Sequence, residues 1–147
     1  MRALPDRPVP KAEPLSDEEP GGTGQLAMAA PTERLVPEPV PAPRDPATAS
    51  LLAAAMQAVT RDDWERALAA LERAVKLAPD DAGLWYQLAY VHHRRGDHEQ
   101  AVQTARRALS LPVSAAERAR TWLLIAEVET ARGDAAAAAA ARAQAEP

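Results

Sequence analysis

Three histidines, His92, His93 and His98, are the side chains of this sequence best suited to hold a metal or to move a proton. Their spacing supports neither task. A zinc site built on a helix needs two ligands on one face, backed by a third from elsewhere. His92 and His93 are neighbours, so His93 points to a different face, and His98 follows an aspartate that reads as a helix start. Carboxylates are plentiful, but Asp62, Asp63, Asp80, Asp81, Asp97 and Asp134 all fall where turns or helix caps are expected. No nucleophile is paired with a base, and no glycine-rich strand-to-helix loop is present to cradle phosphate. Cysteine is absent, which excludes disulfides, thiolate metal sites and cysteine catalysis. The sequence therefore predicts no enzyme activity, no cofactor and no bound metal.

The elements that carry these residues announce themselves by a spacing. Asp63, Ala67 and Ala74 recur 34 residues later as Asp97, Ala101 and Ala108. After a second step of 37 they recur again as Asp134, Ala138 and Ala145. A period of this size marks a helical repeat, in which one helix pair cannot bury its apolar face and must stack on its neighbours. Six helices are expected, at about 47–60, 63–77, 82–95, 97–110, 115–132 and 134–146. Asp63, Asp97 and Asp134 sit where an N-cap side chain accepts from free N–H groups. Gly96 and Gly133 precede two of them and supply the positive φ that ends a helix. Pro79 stops the second helix. Connections this short make consecutive helices antiparallel neighbours.

Composition agrees with closely packed helices. Apolar residues make up 47 % of the 147, but aromatics only 3 %, with no Phe. The net charge is −4 and the repeats carry no basic stripe, so the footprint of a nucleic-acid binder is missing. Residues 1–46 differ from the rest: they hold eleven of the fourteen prolines, including Pro37-Glu38-Pro39-Val40-Pro41-Ala42-Pro43. Such a segment is expected to be a disordered linker or tether, extended as polyproline II where proline is densest. Leu26-Ala27-Met28-Ala29-Ala30 and Leu35-Val36 are small apolar islands within it. No apolar run is long enough to span a bilayer, so no direct membrane insertion is expected. The start, Met1-Arg2-Ala3-Leu4-Pro5, has no signal core. As written the chain reads as cytoplasmic; trimmed of a signal peptide, it would be periplasmic or anchored to the outer membrane.

The pattern resembles the tetratricopeptide repeat family. The match is fullest in Trp85-Tyr86-Gln87-Leu88-Ala89, followed by Gly96-Asp97-His98, Ala101, Ala108 and Leu109. A first repeat, about 48–81, carries Trp64, Ala67, Leu68, Leu71, Ala74, Leu77, Pro79 and Asp80, with Leu51 where the family usually has Trp. A third, about 119–147, carries Trp122, Ile125, Ala126, Gly133, Asp134, Ala138 and Ala145. The second spans about 82–115. The resemblance implies an all-α fold: three stacked helix-turn-helix units, residues 47–147, forming a short right-handed solenoid behind the arm. It implies that Ala67, Ala101 and Ala138 lie at the tightest helix crossings, with Ala89 and Ala126 on the partner helices. Trp85 and Trp122 are expected as core plugs. His92 and His98 stand at aromatic positions of the family. The last helix, alanine from Ala135 to Ala141, offers little area for packing and is expected to fray.

The family binds protein or peptide partners in a concave groove lined by the first helix of each repeat. Carried over, this names Leu52 and Met56 (with Val59) from repeat one. It names Tyr86, Tyr90, His93 and Arg94 from repeat two, and Arg120 and Glu127 (with Leu123 and Thr130) from repeat three. Trp85 and Leu88 belong to the opposite face, so the tyrosines are expected to be dispensable for the core. Members that clamp a C-terminal carboxylate use Lys and Asn; this chain has no Asn, and only Lys11 and Lys76. Three functional classes follow. One is a non-enzymatic protein–protein adaptor. The second, from the layout of arm and domain, is a tether resembling bacterial outer-membrane lipoproteins that activate peptidoglycan synthases. The third is a structural subunit of a larger assembly. Whether the arm covers Leu52, Met56 and Val59, and what the oligomeric state is, stay open.

Overall fold

The computed structural model describes residues 43–147, and the arm expected over residues 1–46 lies almost wholly outside them. Six helices follow in order: α1 (Pro46–Thr60), α2 (Trp64–Leu77), α3 (Ala82–Arg95), α4 (His98–Leu109), α5 (Ala115–Arg132) and α6 (Ala135–Ala145). They form three helix hairpins, α1–α2, α3–α4 and α5–α6, each stacked on the next, with α3 also touching α5. Among the described residues there is no strand.

Five of the six helix starts are set by a side-chain oxygen. Asp63 accepts from the Arg66 N–H at 3.2 Å and Asp134 from the Ala137 N–H at 2.9 Å. Asp45 accepts from both the N–H and the hydroxyl of Thr48, and Pro46 occupies the first helical position. Asp81 caps α3 through the Gly83 N–H, and Ser114 forms a reciprocal capping box with Glu117. Asp97 departs from expectation. It stands at the N-cap of α4 but makes no capping bond, because Arg95 Nη1 donates to its carboxylate at 2.8 Å.

The helix ends repeat one geometry three times. Gly96 and Gly133 take φ of 88° and 87°, as the spacing requires. In the first hairpin the same place is filled by Asp62, at φ 57°. In all three, the next residue's N–H reaches back to a carbonyl five residues earlier: Asp63 to Ala58, Asp97 to His92, Asp134 to Glu129. This is the Schellman closure, which favours glycine.

The core is mostly alanine: twelve of the twenty-two buried apolar residues. Ala67, Ala101 and Ala138, together with Ala89 and Ala126, are all buried, which places the helix axes close. Larger side chains fill the seams, with Leu71, Leu84, Val91, Ile125 and Val128 fully enclosed. Trp85 and Trp122 are not buried plugs. They are half-buried and pack against the two core clusters from the side, because a core this narrow has no room for an indole. In α6 only Ala138 and Ala141 are buried.

Two stability outcomes follow. Ala101→Leu overfills the closest crossing of the central hairpin and should destabilise by about 1–3 kcal/mol, whereas exposed Gln103→Leu should change little. Asp62→Gly relieves a left-handed aspartate and should stabilise by about 0.5–1 kcal/mol. Chemical denaturation of the three variants checks both, and the reverse ranking of Ala101→Leu and Gln103→Leu would put the repeat out of phase.

Candidate functional site

The residues assigned to the concave face lie on α1, α3 and α5, and those of α3 and α5 are linked pairwise. The guanidinium carbon of Arg120 sits 4.5 Å from the centre of the Tyr86 ring. Glu127 Oε1 lies 3.9 Å from His93 Nε2. Both pairs bridge α3 and α5. Arg94 Nη1 donates to the Tyr90 hydroxyl at 3.1 Å, and its guanidinium lies 4.8 Å above the Trp64 ring of α2. Trp64 and Tyr90 meet edge to face at 6.3 Å.

These contacts revise the division between face and core. Tyr86 and Tyr90 are half-buried and pack on the second core cluster, and Tyr90 also packs on the first. Burial raises the Tyr86 phenol above its ordinary pKa, opposed by Arg120. Truncating Tyr90 therefore removes packing as well as surface. The exposed members of this face are Arg94, Arg120, Leu123, Glu127 and Thr130, with Leu123 52 % accessible.

Every aromatic ring of the chain lies under an arginine. Arg94 covers Trp64 and Tyr90, Arg107 covers Trp85, Arg106 covers Trp122, and Arg120 covers Tyr86. At exposed sites such a contact contributes roughly 0.5–1 kcal/mol. The Trp85 indole N–H also donates to the Pro79 carbonyl at 2.7 Å, tying α3 to the turn before it.

A cleft of about 870 Å³ opens at the end of the face where α1, α3 and α5 begin. Of the residues expected at the site, Leu52, Met56 and Arg120 line it; Tyr86, Tyr90, His93, Arg94 and Glu127 do not. The rest of its wall includes residues that no spacing singled out as binding, among them Arg44, Leu77, Gln87 and Val113, with Asp80 and Asp81. Asp81 was legible only as a turn residue. Arg44 reaches the cleft through an ion pair with Asp81, 37 residues away, and local pattern carries no signal for that.

The histidines gather more closely than their spacing suggests. The rings of His93 and His98 are 5.5 Å apart, although they start from different helices. His92 faces Asp97, with 3.9 Å from Nδ1 to the carboxylate. The Nδ1 atoms of all three are buried without a hydrogen-bond partner. Among the described residues no group of three or more His, Asp or Glu is arranged to hold a metal.

The sequence profile described as Tetratricopeptide repeat matches residues 52–116. A solved structure, the globular C-terminal domain of P. aeruginosa LpoP, is 38 % identical, with a TM-score of 0.65. The alignment covers 70 % of this chain and 98 % of that domain. The chain belongs to the tetratricopeptide repeat family. No curated protein matches it. The family's arrays are protein-interaction modules, and their fold typically carries no catalysis. Among the described residues no helix is long and apolar enough to cross a membrane.

His92 and His93 should make the array sensitive to acid. Burial lowers the pKa of His92 and of His93, against the attraction of Asp97 and Glu72 for the first and Glu127 for the second. A depressed folded-state pKa means the unfolded chain binds protons first. The stability is therefore complete above the ordinary value near 6.5 and is lost as pH falls below it. Melting temperature should fall between about pH 7 and pH 5, before carboxylates titrate. His92→Gln/His93→Gln should flatten that slope in calorimetric scans; an unchanged slope would assign it to other groups.

Proposed function

We propose that this array is a non-enzymatic module that holds a segment of a partner protein on its concave face. The observation that carries the reading is the exposed surface left beside the cleft. Arg120, Leu123 and Glu127 of α5 project where α3 and α5 meet, and Leu123 is among the few large apolar side chains left in solvent. Leu52 and Met56 supply an apolar floor from α1. Aromatic and arginine side chains commonly anchor such interfaces. Here Tyr86, Tyr90 and Arg94 act mainly by holding the face in shape.

One observation favours a particular setting. The likeness is to the globular C-terminal domain of P. aeruginosa LpoP, and in this chain the repeats follow a proline-rich N-terminal segment. We therefore favour the envelope reading: a tethered domain that reaches, and activates or scaffolds, a peptidoglycan synthase.

Arg120→Ala/Leu123→Ala should leave the melting temperature within a few degrees, because both side chains are exposed. It should weaken partner capture by about tenfold or more if the face is the site. The assay is retention of a purified peptidoglycan synthase from the source organism on the immobilised chain. Equal retention by wild type and variant would move the site off the concave face. No retention by either would remove the envelope setting and leave the adaptor.

A further inference from the structure

In the free chain the cleft already holds a basic side chain. Arg44, two residues before α1, lays its guanidinium along the Asp81 carboxylate: Nε to Oδ2 is 2.7 Å and Nη2 to Oδ1 is 3.1 Å. This is the two-pronged geometry that suits arginine. Gly83 keeps the place open, since a Cβ there would stand 2.7 Å from Arg44 Nη2.

The lining carries more carboxylates than cations, with Asp45 and Glu117 also engaged in the starts of α1 and α5. Asp45, Asp80, Asp81 and Glu117 line the cleft against two guanidiniums, those of Arg44 and Arg120. Arg120 is turned onto Tyr86, and Asp80 has no ion-pair partner among the described residues. Beside this rim, Leu77 stands 56 % exposed, next to the half-buried Leu52 and Met56.

We propose that the cleft receives an extended segment carrying an arginine or lysine beside an apolar side chain, and that Arg44 fills the basic position until such a segment displaces it. The proposal rests on the concave-face reading and adds the partner's chemistry. Exchanging one exposed ion pair for another changes little in energy. The gain comes from burying the neighbouring apolar side chain against Leu52, Met56 and Leu77, while the carboxylates reject acidic segments. Arg44 thus acts as an internal competitor that sets a threshold.

The test uses the full chain and fluorescent decapeptide pools, each with one position fixed as Arg, Lys, Asp or Glu, read by polarisation. Basic pools should bind better than acidic ones, and more weakly as salt rises. Arg44→Ala should bind basic pools about two- to fivefold more tightly than wild type. Adding Asp81→Asn, which keeps the helix cap, should abolish the preference. Tighter binding of acidic pools, no change on Arg44→Ala, a preference that survives Asp81→Asn, or no binding by any pool would each overturn the proposal. Acidic pools that bind wild type but not Arg120→Ala/Leu123→Ala would sink the basic position and keep the concave face. Basic pools bound equally by that variant would keep the basic position and move the rest of the site elsewhere.

Discussion

The close approach of helix axes, enforced by alanine at the crossings, is the constraint on which the rest of this structure depends. Ala67, Ala101 and Ala138 are buried to within about a per cent, and their partners Ala89 and Ala126 to within about two. A methyl group buries little area, so each crossing contributes modest hydrophobic stabilisation while permitting dense backbone contact. Stability must then come from many small terms: caps at the helix starts, Schellman closures at the ends, and seams filled by Leu, Val and Ile. The array tolerates a mild deficit in any one of them, such as the missing side-chain cap at Asp97.

The same constraint decides where the rings go. A core built on alanine cannot enclose an indole, so Trp64, Trp85 and Trp122 lie half-buried along its edges. A half-buried ring presents an apolar face to water, and a guanidinium covers that face at little loss of its own hydration. Arginine side chains do this for all five rings. On the concave side the covers also cross between helices, as in Tyr86–Arg120. This face is thereby stiffened by the groups that colour its charge, so a segment docking there as proposed would need little reorganisation.

How much of this was legible depended on whether the signal was local. The period of 34 residues, the glycines at 96 and 133 and the caps at Asp63 and Asp134 are local chemistry, and the structure carries them as read. Asp97 has the same local pattern, but Arg95 competes for its carboxylate, and pattern does not record competition. The tryptophans were misplaced because residue type suggests burial while the width of the core decides it. For the proposed binding face, position in the repeat grouped side chains that the structure links across α3 and α5, as in Tyr86–Arg120 and His93–Glu127. It did not separate those that support the face, such as Tyr90, from those left exposed, such as Leu123. The Arg44–Asp81 contact and the meeting of His93 with His98 depend on chain reversals and had no local trace.

The first hairpin is the least regular of the three, and its first helix helps to floor the cleft. Leu51 stands where the other two repeats have Trp85 and Trp122, and Asp62 where they have glycine. Without an indole at that seam, α1 leans on Leu51, Leu52 and Met56 and on its capped start, in which Thr48 is fully buried under Asp45. Arg44 adds a pin from outside this arrangement: it fixes the stub before α1 to the turn before α3 but contributes nothing to the buried face of either helix. The cap and the pin are therefore separable. Losing the Arg44 contact leaves the Asp45–Thr48 closure intact, so the cleft can exchange its basic occupant without unfolding the helix that floors it.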